Sequence, residues 1–126
     1  MGIEPLELAS LCARTVDAKK AENIIVLHVA PLTTIADYFV IATGLNPRQL
    51  RAMSVEIQQG VKGLGIGVRG DEGTPESGWI LVDLGDVIIH LFAPPTRALY
   101  ELEVLWGDAA VVDWAAQPKP DKDGSQ

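Results

Sequence analysis

Apolar residues recur along the chain at two spacings, one typical of helices and one typical of strands. Residues 5–21 have apolar positions three and four apart, with acids early and Lys19 and Lys20 late, which predicts a helix aligned with its own dipole. A second helix is predicted to begin at Pro47, because Asn46 is a favourable N-cap and proline suits the first helical position. Its apolar stripe ends at a glycine-rich segment, which predicts the end of the helix.

Short runs rich in β-branched and apolar residues predict the strands. They are bounded by glycine, proline or aspartate, as strands usually are. The runs with this character are 24–29, 37–43, 79–84 and 86–92, with weaker candidates at 66–70 and 110–112.

The remaining segments predict a loop, a third helix and a tail. Residues 71–78 contain two glycines, one proline and three acids, which is typical of a surface loop. Residues 96–106 have helical spacing. The positions predicted to face inward there are Leu99, Leu102 and either Leu105 or Trp106. Residues 115–126 are polar and proline-rich, so we expect a single domain over 1–114 and a disordered tail after it.

The order of elements, α-β-β-α-β-β-β-α, predicts the α+β class: a single mixed sheet of about five strands with helices packed against it. The 48% hydrophobic and 21% charged content is that of a folded domain. Glu4 and Glu7 stand where a signal peptide would carry basic residues, and no apolar run approaches the ~20 residues of a membrane span. With Cys12 as the single cysteine, we expect a cytoplasmic protein without membrane contact.

The charge balance limits the possible partners. Asp and Glu total 17 against 10 Lys and Arg, for a net charge of −7. Nucleic-acid binding depends on basic residues that neutralise phosphates, so we expect little direct contact with nucleic acid. A basic protein is the better match, because complementary charge speeds the encounter.

Residues able to do chemistry are few and scattered. His28 and His90 lie in different predicted strands without a ligand at metal-binding spacing, so each is interpreted as a histidine on a sheet surface. Cys12 lies on an apolar helix stripe and is interpreted as a core residue. Asp83 and Asp86 flank a glycine and fit a turn better than a Mg²⁺ site. We therefore expect no catalytic residue, no metal and no cofactor.

The predicted hairpin of strands 79–84 and 86–92 has two different faces. Alternation places Ile80, Val82 and Leu84 on an aliphatic face. The opposite face carries Trp79, Leu81, Asp83, Ile88, His90 and Phe92. Such a face is either covered by a helix or exposed for recognition, since aromatic residues are frequent in interface hot spots. The pattern alone leaves both interpretations open.

Three stretches together resemble the ribosomal silencing factor family, also called Iojap-like. Residues 36–44 with 47–50 resemble its DYFVI and RQ region, residues 72–92 resemble its EG, GW and GD-V-H-F region, and residues 97–109 resemble its R-Y-LE-LW-DA region. The resemblance covers residues 5–114. Asn46 replaces the family's usual serine, and both residues cap helices.

The resemblance implies a fold and a function. The fold is a mixed sheet related to the nucleotidyltransferase topology. The function is to bind the large ribosomal subunit through its fourteenth protein and to block joining of the small subunit sterically, which represses translation when nutrients are short. A homodimer and a supporting role in ribosome biogenesis are also implied. The residues implied to contact the ribosomal protein are Trp79, Leu81, Asp83, His90, Phe92 and Tyr100.

Two other functions compete with this one. A minimal nucleotidyltransferase would need paired carboxylates that bind metal near a Gly-Ser helix start. Here Gly44 is followed by Leu45-Asn46, and the one D-x-D, residues 121–123, lies in the predicted tail. A dimeric scaffold would instead use the aromatic face for self-association.

Overall fold

Six strands form one mixed sheet in the computed structural model, which describes residues 2–117. The strands are β1 (Glu22–His28), β2 (Tyr38–Thr43), β3 (Gly70–Thr74), β4 (Trp79–Asp83), β5 (Val87–Phe92) and β6 (Ala110–Val112). The helices are α1 (Pro5–Ala18), α2 (Pro47–Gly63), α3 (Pro94–Tyr100) and α4 (Leu102–Leu105). The strand order is β3-β4-β5-β2-β1-β6, with β2 and β5 parallel and every other pair antiparallel. The predicted class is confirmed, with one strand more than expected.

One face of the sheet is covered by α1 and α2. The fully buried side chains of these helices include Val16, Leu50 and Met53, which belong to one apolar cluster with strand residues such as Val40 and Ile89. Removing this much apolar surface from water is the main force that holds the helices on the sheet. Cys12 is buried in the same cluster, so its interpretation as a core residue is confirmed.

The predicted start of α2 is confirmed in detail. The Asn46 side chain accepts a hydrogen bond from the Gln49 backbone N–H at 2.8 Å, and Pro47 occupies the first turn. Gly44 lets the helix lie close to the strand before it, because a Cβ there would be 2.7 Å from the end of the Met53 side chain. The end of β2 is thereby fixed against the start of α2.

The prediction of a strand at 66–70 and of a loop at residues 71–74 was wrong, whereas residues 75–78 do form a turn. Strand β3 runs from Gly70 to Thr74 along the edge of the sheet, and a 3₁₀ turn follows at Pro75–Ser77. Four of the five residues of β3 are exposed, so it has no apolar alternation to reveal it. Gly73 has a φ of +84°, and a side chain there would overlap the Trp79 carbonyl.

The single helix predicted at 96–106 is two helices. Glu101 has a φ of +48° and breaks the chain between α3 and α4. Leu102 faces inward as predicted, and of the two alternatives Leu105 and Trp106 it is Trp106 that packs inward. The inward orientation predicted for Leu99 was wrong, because it is exposed. The break rotates α4 relative to α3, so the helical spacing does not continue across it.

The C-terminal end of the described chain packs against α1. Residues 114–116 form a 3₁₀ turn beside α1, and the Arg14 guanidinium donates to the carbonyls of Trp114 and Gln117. The rest of the predicted tail, residues 118–126, lies outside the described residues. Among residues 2–117, the helices are too short or too polar to cross a membrane.

Candidate recognition surface

The hairpin of β4 and β5 forms as predicted, around a turn at residues 84–86. Trp79 is paired with Phe92, and Leu81 with His90. Gly85 has a φ of +92°, and its N–H donates to Asp83 Oδ1 at 2.8 Å. Asp83 is therefore a turn residue, as its position beside glycine predicted.

The two faces of the hairpin differ as the alternation predicted. Ile80, Val82 and Leu84 are buried toward α1 and α2. Their neighbours Trp79 and Leu81 point to the opposite face and are partly buried. All six residues of β5 are buried, because β5 lies in the middle of the sheet and is covered on both faces.

An aromatic cluster forms on this second face, with Trp79 at its centre. The Trp79 ring lies 4.7 Å from that of Tyr100 and 5.0 Å from that of Phe92, measured between ring centroids. Phe39 meets His90 edge-on at 5.0 Å. Tilted and edge-on arrangements at these distances are favourable for aromatic pairs. Tyr100 comes from α3, so the cluster attaches that helix to the sheet.

Exposure separates the residues predicted to contact a partner into two groups. Phe92 is 0% and His90 6% exposed, so both lie beneath the surface and support it. Trp79, Leu81 and Asp83 are partly exposed, and Tyr100 is 49% exposed. We call these four residues the recognition surface. The face is thus covered in part and open in part, and neither of the two interpretations of the sequence was complete.

His90 is held as a neutral ring under this surface. Burial lowers the pKa of its imidazole to about 4. The Trp79 indole N–H donates to His90 Nδ1 at 3.4 Å, which places the proton of the neutral ring on Nε2. Nε2 has no partner among the described residues. The expectation that His90 lies on the sheet surface was wrong, because it is buried among the rings of Phe39, Trp79 and Phe92.

A groove of about 330 Å³ borders the recognition surface. Its lining residues include Glu72, Ser77, Trp79, Leu81, Thr96 and Tyr100. Glu72 stands opposite Leu81 on the edge strand β3, and both neighbours Asp71 and Gly73 are exposed with it. Of the three acids that the sequence placed in a loop, Glu72 therefore flanks the aromatic side chains. Asp71 and Glu76 lie on the α2 side of the sheet, where Asp71 accepts a hydrogen bond from Gln58 and Glu76 pairs with Arg51.

Features that would support catalysis or metal binding are sparse in the described chain. No group of three or more His, Cys, Asp and Glu among residues 2–117 is arranged to hold a metal ion. His28 stacks on Tyr38 at 4.8 Å, in a different part of the sheet from His90. Burial raises the pKa of the Cys12 thiol to about 12, so the sulfur stays protonated and is a poor nucleophile.

Two aromatic residues of the cluster were missed by the sequence reasoning about the site. Phe39 and Trp106 meet edge-on at 5.1 Å, and through Phe39 they support His90 from the side. Phe39 lies in β2, a strand far from the hairpin in sequence, and pairs with Ile88 across the parallel register. Only the strand order, which the sequence pattern does not give, brings these residues together.

Known proteins resemble this chain in sequence and in structure. The family model described as "Ribosomal silencing factor during starvation" matches residues 3–126. A ribosomal silencing factor of Halalkalibacterium halodurans is 40% identical over 107 residues, which cover 85% of this chain and 92% of that protein. The mouse protein named "Mitochondrial assembly of ribosomal large subunit protein 1" is 38% identical over 104 residues, 79% of this chain and 45% of that protein. A crystal structure from Chromobacterium violaceum has a TM-score of 0.80 at 32% identity, covering 94% of this chain and 92% of that one.

Proposed function

Because this chain belongs to the ribosomal silencing factor family, we propose that it binds the large ribosomal subunit through its fourteenth protein and prevents the small subunit from joining. It acts in the cytoplasm as a repressor of translation under nutrient limitation, and it needs no cofactor and no catalysis. The names of the family model and of the mouse relative, which refer to starvation and to the large subunit, support this proposal.

The observation that carries the proposal is the recognition surface itself. Trp79 and Tyr100 together present a partly open aromatic pair beside a groove, and Leu81 adds apolar area. Aromatic anchors of this kind, supported by buried neighbours, contribute a large share of binding energy in protein interfaces. The surface is held by the hairpin and α3, so a partner meets it largely preformed.

The charge around this surface favours a basic partner. Glu72 is exposed in the groove beside Trp79, and the chain as a whole has a net charge of −7. Opposite charges attract the two proteins before contact. The negative charge of this chain disfavours binding to the phosphates of nucleic acid. A basic ribosomal protein is therefore a better match than ribosomal RNA.

The six predicted contact residues then have two roles. Trp79, Leu81, Asp83 and Tyr100 touch the partner. Asp83 does so with the carboxylate oxygen that the turn does not use, since Oδ1 already accepts from Gly85. His90 and Phe92 set the height and tilt of the Trp79 ring from below. Silencing then requires only steric exclusion, because a folded chain bound to the joining face of the large subunit blocks the small subunit.

A matched pair of tyrosine variants tests the contact. We expect Tyr100→Ala to weaken co-sedimentation with large subunits about tenfold or more, as loss of an aromatic anchor does. Tyr38→Ala, at the other side of the sheet, should bind as the wild type does. Circular dichroism and urea unfolding would verify that both variants are folded. Equal binding by the two variants would show that the recognition surface lies elsewhere.

A subunit-joining assay tests the mechanism. Purified large and small subunits are mixed with increasing amounts of this protein and separated on sucrose gradients. We expect the joined particle to disappear as the protein saturates the large subunit, and we expect Tyr100→Ala to require correspondingly more protein. Unchanged joining at saturation, with the protein bound to the large subunit, would refute steric silencing.

A second proposal concerns self-association, which a specific observation favours. Four large apolar side chains, Leu99, Val104, Leu105 and Val111, are each 71–75% exposed on α3, α4 and β6. An exposed patch of several large apolar side chains is a common mark of a protein interface. We propose that a second copy of the chain covers this apolar patch, which makes the protein a homodimer.

A further inference from the structure

A cavity of about 330 Å³ opens at the carboxyl ends of the parallel strands β2 and β5. After β2 the chain turns to α2 on one face of the sheet, and after β5 it turns to α3 on the other. Where neighbouring parallel strands send the chain to opposite faces, a crevice remains, and open α/β sheets bind ligands at such points. Its lining residues include Glu22, Asn23, Thr43, Arg97, Glu101 and Val104.

This cavity is distinct from the groove beside the recognition surface. The groove is lined by Thr96 and Tyr100 of α3, whereas the cavity is lined by Arg97 and Ala98. Thr96 and Tyr100 are four residues apart and share one side of α3, whereas Arg97 and Ala98 lie roughly 100° and 200° around the helix from Thr96. A ligand in the cavity therefore does not touch the recognition surface, and its binding can be measured in the absence of ribosomes.

Arg97 provides a buried hydrogen-bond donor to the cavity. Its side chain is 9% exposed, and its Nε donates to Glu103 Oε2 at 3.0 Å. Its Nη1 donates to the Asn23 carbonyl at 2.6 Å and to Thr43 Oγ1 at 2.8 Å. Nη2, with two further N–H groups, donates to no atom of the described residues and is not closed off from solvent. The two N–H groups of Nη2 are therefore held in a fixed orientation and can donate to an acceptor on a ligand.

Carboxylates oppose this donor across the cavity. Three carboxylates line the cavity: Glu103 is already paired with Arg97, whereas Glu22 and Glu101 are exposed at the rim and within residues 2–117 form no ion pair. A simple anion would meet Arg97 but be repelled by these two acids. A simple cation would pair with the acids but make no use of the Nη2 donors. A molecule with a carboxylate and an ammonium group on neighbouring atoms satisfies both sides.

The apolar part of the cavity wall determines which ligand side chain fits. Pro94, Ala98 and Val104 are apolar, and the volume is at the low end of the ~300–1,000 Å³ range of small-molecule pockets. We propose that this cavity binds a free α-amino acid with a small aliphatic side chain. The carboxylate accepts from Arg97 Nη2, the ammonium donates to Glu22 and Glu101, and the side chain lies against Pro94 and Ala98.

Three matched probes test the proposal by titration calorimetry on the full chain. They are L-valine, isobutylamine, which lacks the carboxylate, and 3-methylbutanoate, which lacks the ammonium group. We expect valine to bind at least tenfold more tightly than either of the others, a difference of about 1.4 kcal/mol. Equal binding of the amine would indicate a plain cation site and overturn the proposal. Equal binding of the acid, or no binding by valine, would overturn it as well.

Variants of the two acids at the rim test whether valine binds in the cavity or at another site. Glu101→Gln and Glu22→Gln remove charge from exposed side chains, so both variants should fold. We expect each to weaken valine binding several-fold and to leave binding of 3-methylbutanoate unchanged or tighter, since a repelling acid is gone. Glu72→Gln, an exposed acid beside the other groove, serves as the control and should bind valine as the wild type does. Unchanged valine affinity in both rim variants would refute the assignment.

Discussion

His90 shows how one residue can serve a surface without lying on it. It is buried between Phe39 and Trp79, and its Nδ1 accepts the indole N–H that fixes the tilt of Trp79. That arrangement requires the neutral ring, because a charged imidazolium would have a donor at Nδ1 in place of the acceptor. The stability of the surface should therefore depend on the protonation of His90.

The pH dependence of stability follows from this lowered pKa. The His90 pKa is about 4 in the folded chain, and about 6.5 is the ordinary value expected in the unfolded one. The unfolded chain then binds more protons between these values, so His90 makes the fold less stable as pH falls from about 6.5 toward 4. We expect its share of this loss to be about 2 kcal/mol between pH 7 and pH 5, measured by urea unfolding at both values.

Two variants isolate the His90 contribution from that of the acids. His90→Asn keeps a hydrogen-bond acceptor for Trp79 but does not titrate, so it should lose about 2 kcal/mol less than the wild type over this pH interval. His28→Asn, at a partly exposed histidine in β1, should keep the wild-type dependence. If His90→Asn and the wild type lost the same free energy, the buried neutral histidine would not be the cause.

At the scale of elements, a strand is predictable from sequence when it separates two environments. In β4, Ile80 and Val82 face the core and their neighbours do not, so the alternation is visible in the residue types. In β3 nearly every residue is exposed, and its Gly-Asp-Glu-Gly-Thr composition is that of a loop. It becomes a strand because its backbone pairs with β4, a neighbour that is present only in the folded sheet.

The break between α3 and α4 was invisible for a related reason. Glu101 adopts a left-handed conformation that glycine or asparagine would usually occupy, so the residue type gives no signal. The break is held by contacts on either side: Tyr100 packs on Trp79, and Arg97 pairs with Glu103 across the break. Tertiary contacts thus override the local preference of Glu101.

Arg97 should be the residue that holds these two helices on the sheet. Its three hydrogen bonds join α3 to Glu103 of α4, to Thr43 of β2 and to the bulged start of β1 at Asn23. Lysine keeps the charge but cannot make these bonds at once. We expect Arg97→Lys to lower the free energy of unfolding by about 2 kcal/mol in urea titrations, since buried partners are left unsatisfied.

An exposed ion pair provides the matched control for Arg97. Arg51 lies 3.9 Å from Glu76, and both side chains are more than half exposed. Such pairs contribute little, so Arg51→Lys should change the free energy of unfolding by less than about 0.5 kcal/mol. Similar effects of the two substitutions would mean that the Arg97 bonds do not hold α3 and α4 in place.

At the scale of the whole molecule, the sheet divides the chain into a closed side and an open side. α1 and α2 cover one face completely with long amphipathic helices that sequence periodicity reveals. The other face is covered only by the short helices α3 and α4, and it leaves both the recognition surface and the apolar patch open. Sequence reasoning located the hairpin aromatic residues of that face and Tyr100, but their exposure depends on where α3 and α4 end.

The apolar patch should be the surface through which two copies associate. We expect Leu105→Glu to give the mass of a monomer in light scattering after gel filtration, at concentrations where the wild type has the mass of a dimer. A charge placed in an apolar interface is costly to bury, whereas at an exposed position it leaves the monomer stable. Val55→Glu, at another exposed apolar residue on α2, should remain dimeric.

The same variant tells whether the dimer and the ribosome compete for one surface. Leu99 and Tyr100 are neighbours on α3, so the apolar patch and the recognition surface adjoin. If the dimer covers Tyr100, a monomeric Leu105→Glu should co-sediment with large subunits more tightly than the wild type, because no partner copy must leave first. If the surfaces are separate, its affinity should equal that of the wild type. A wild type that is monomeric at every concentration, or a dimer that persists in Leu105→Glu, would remove the patch from the dimer interface.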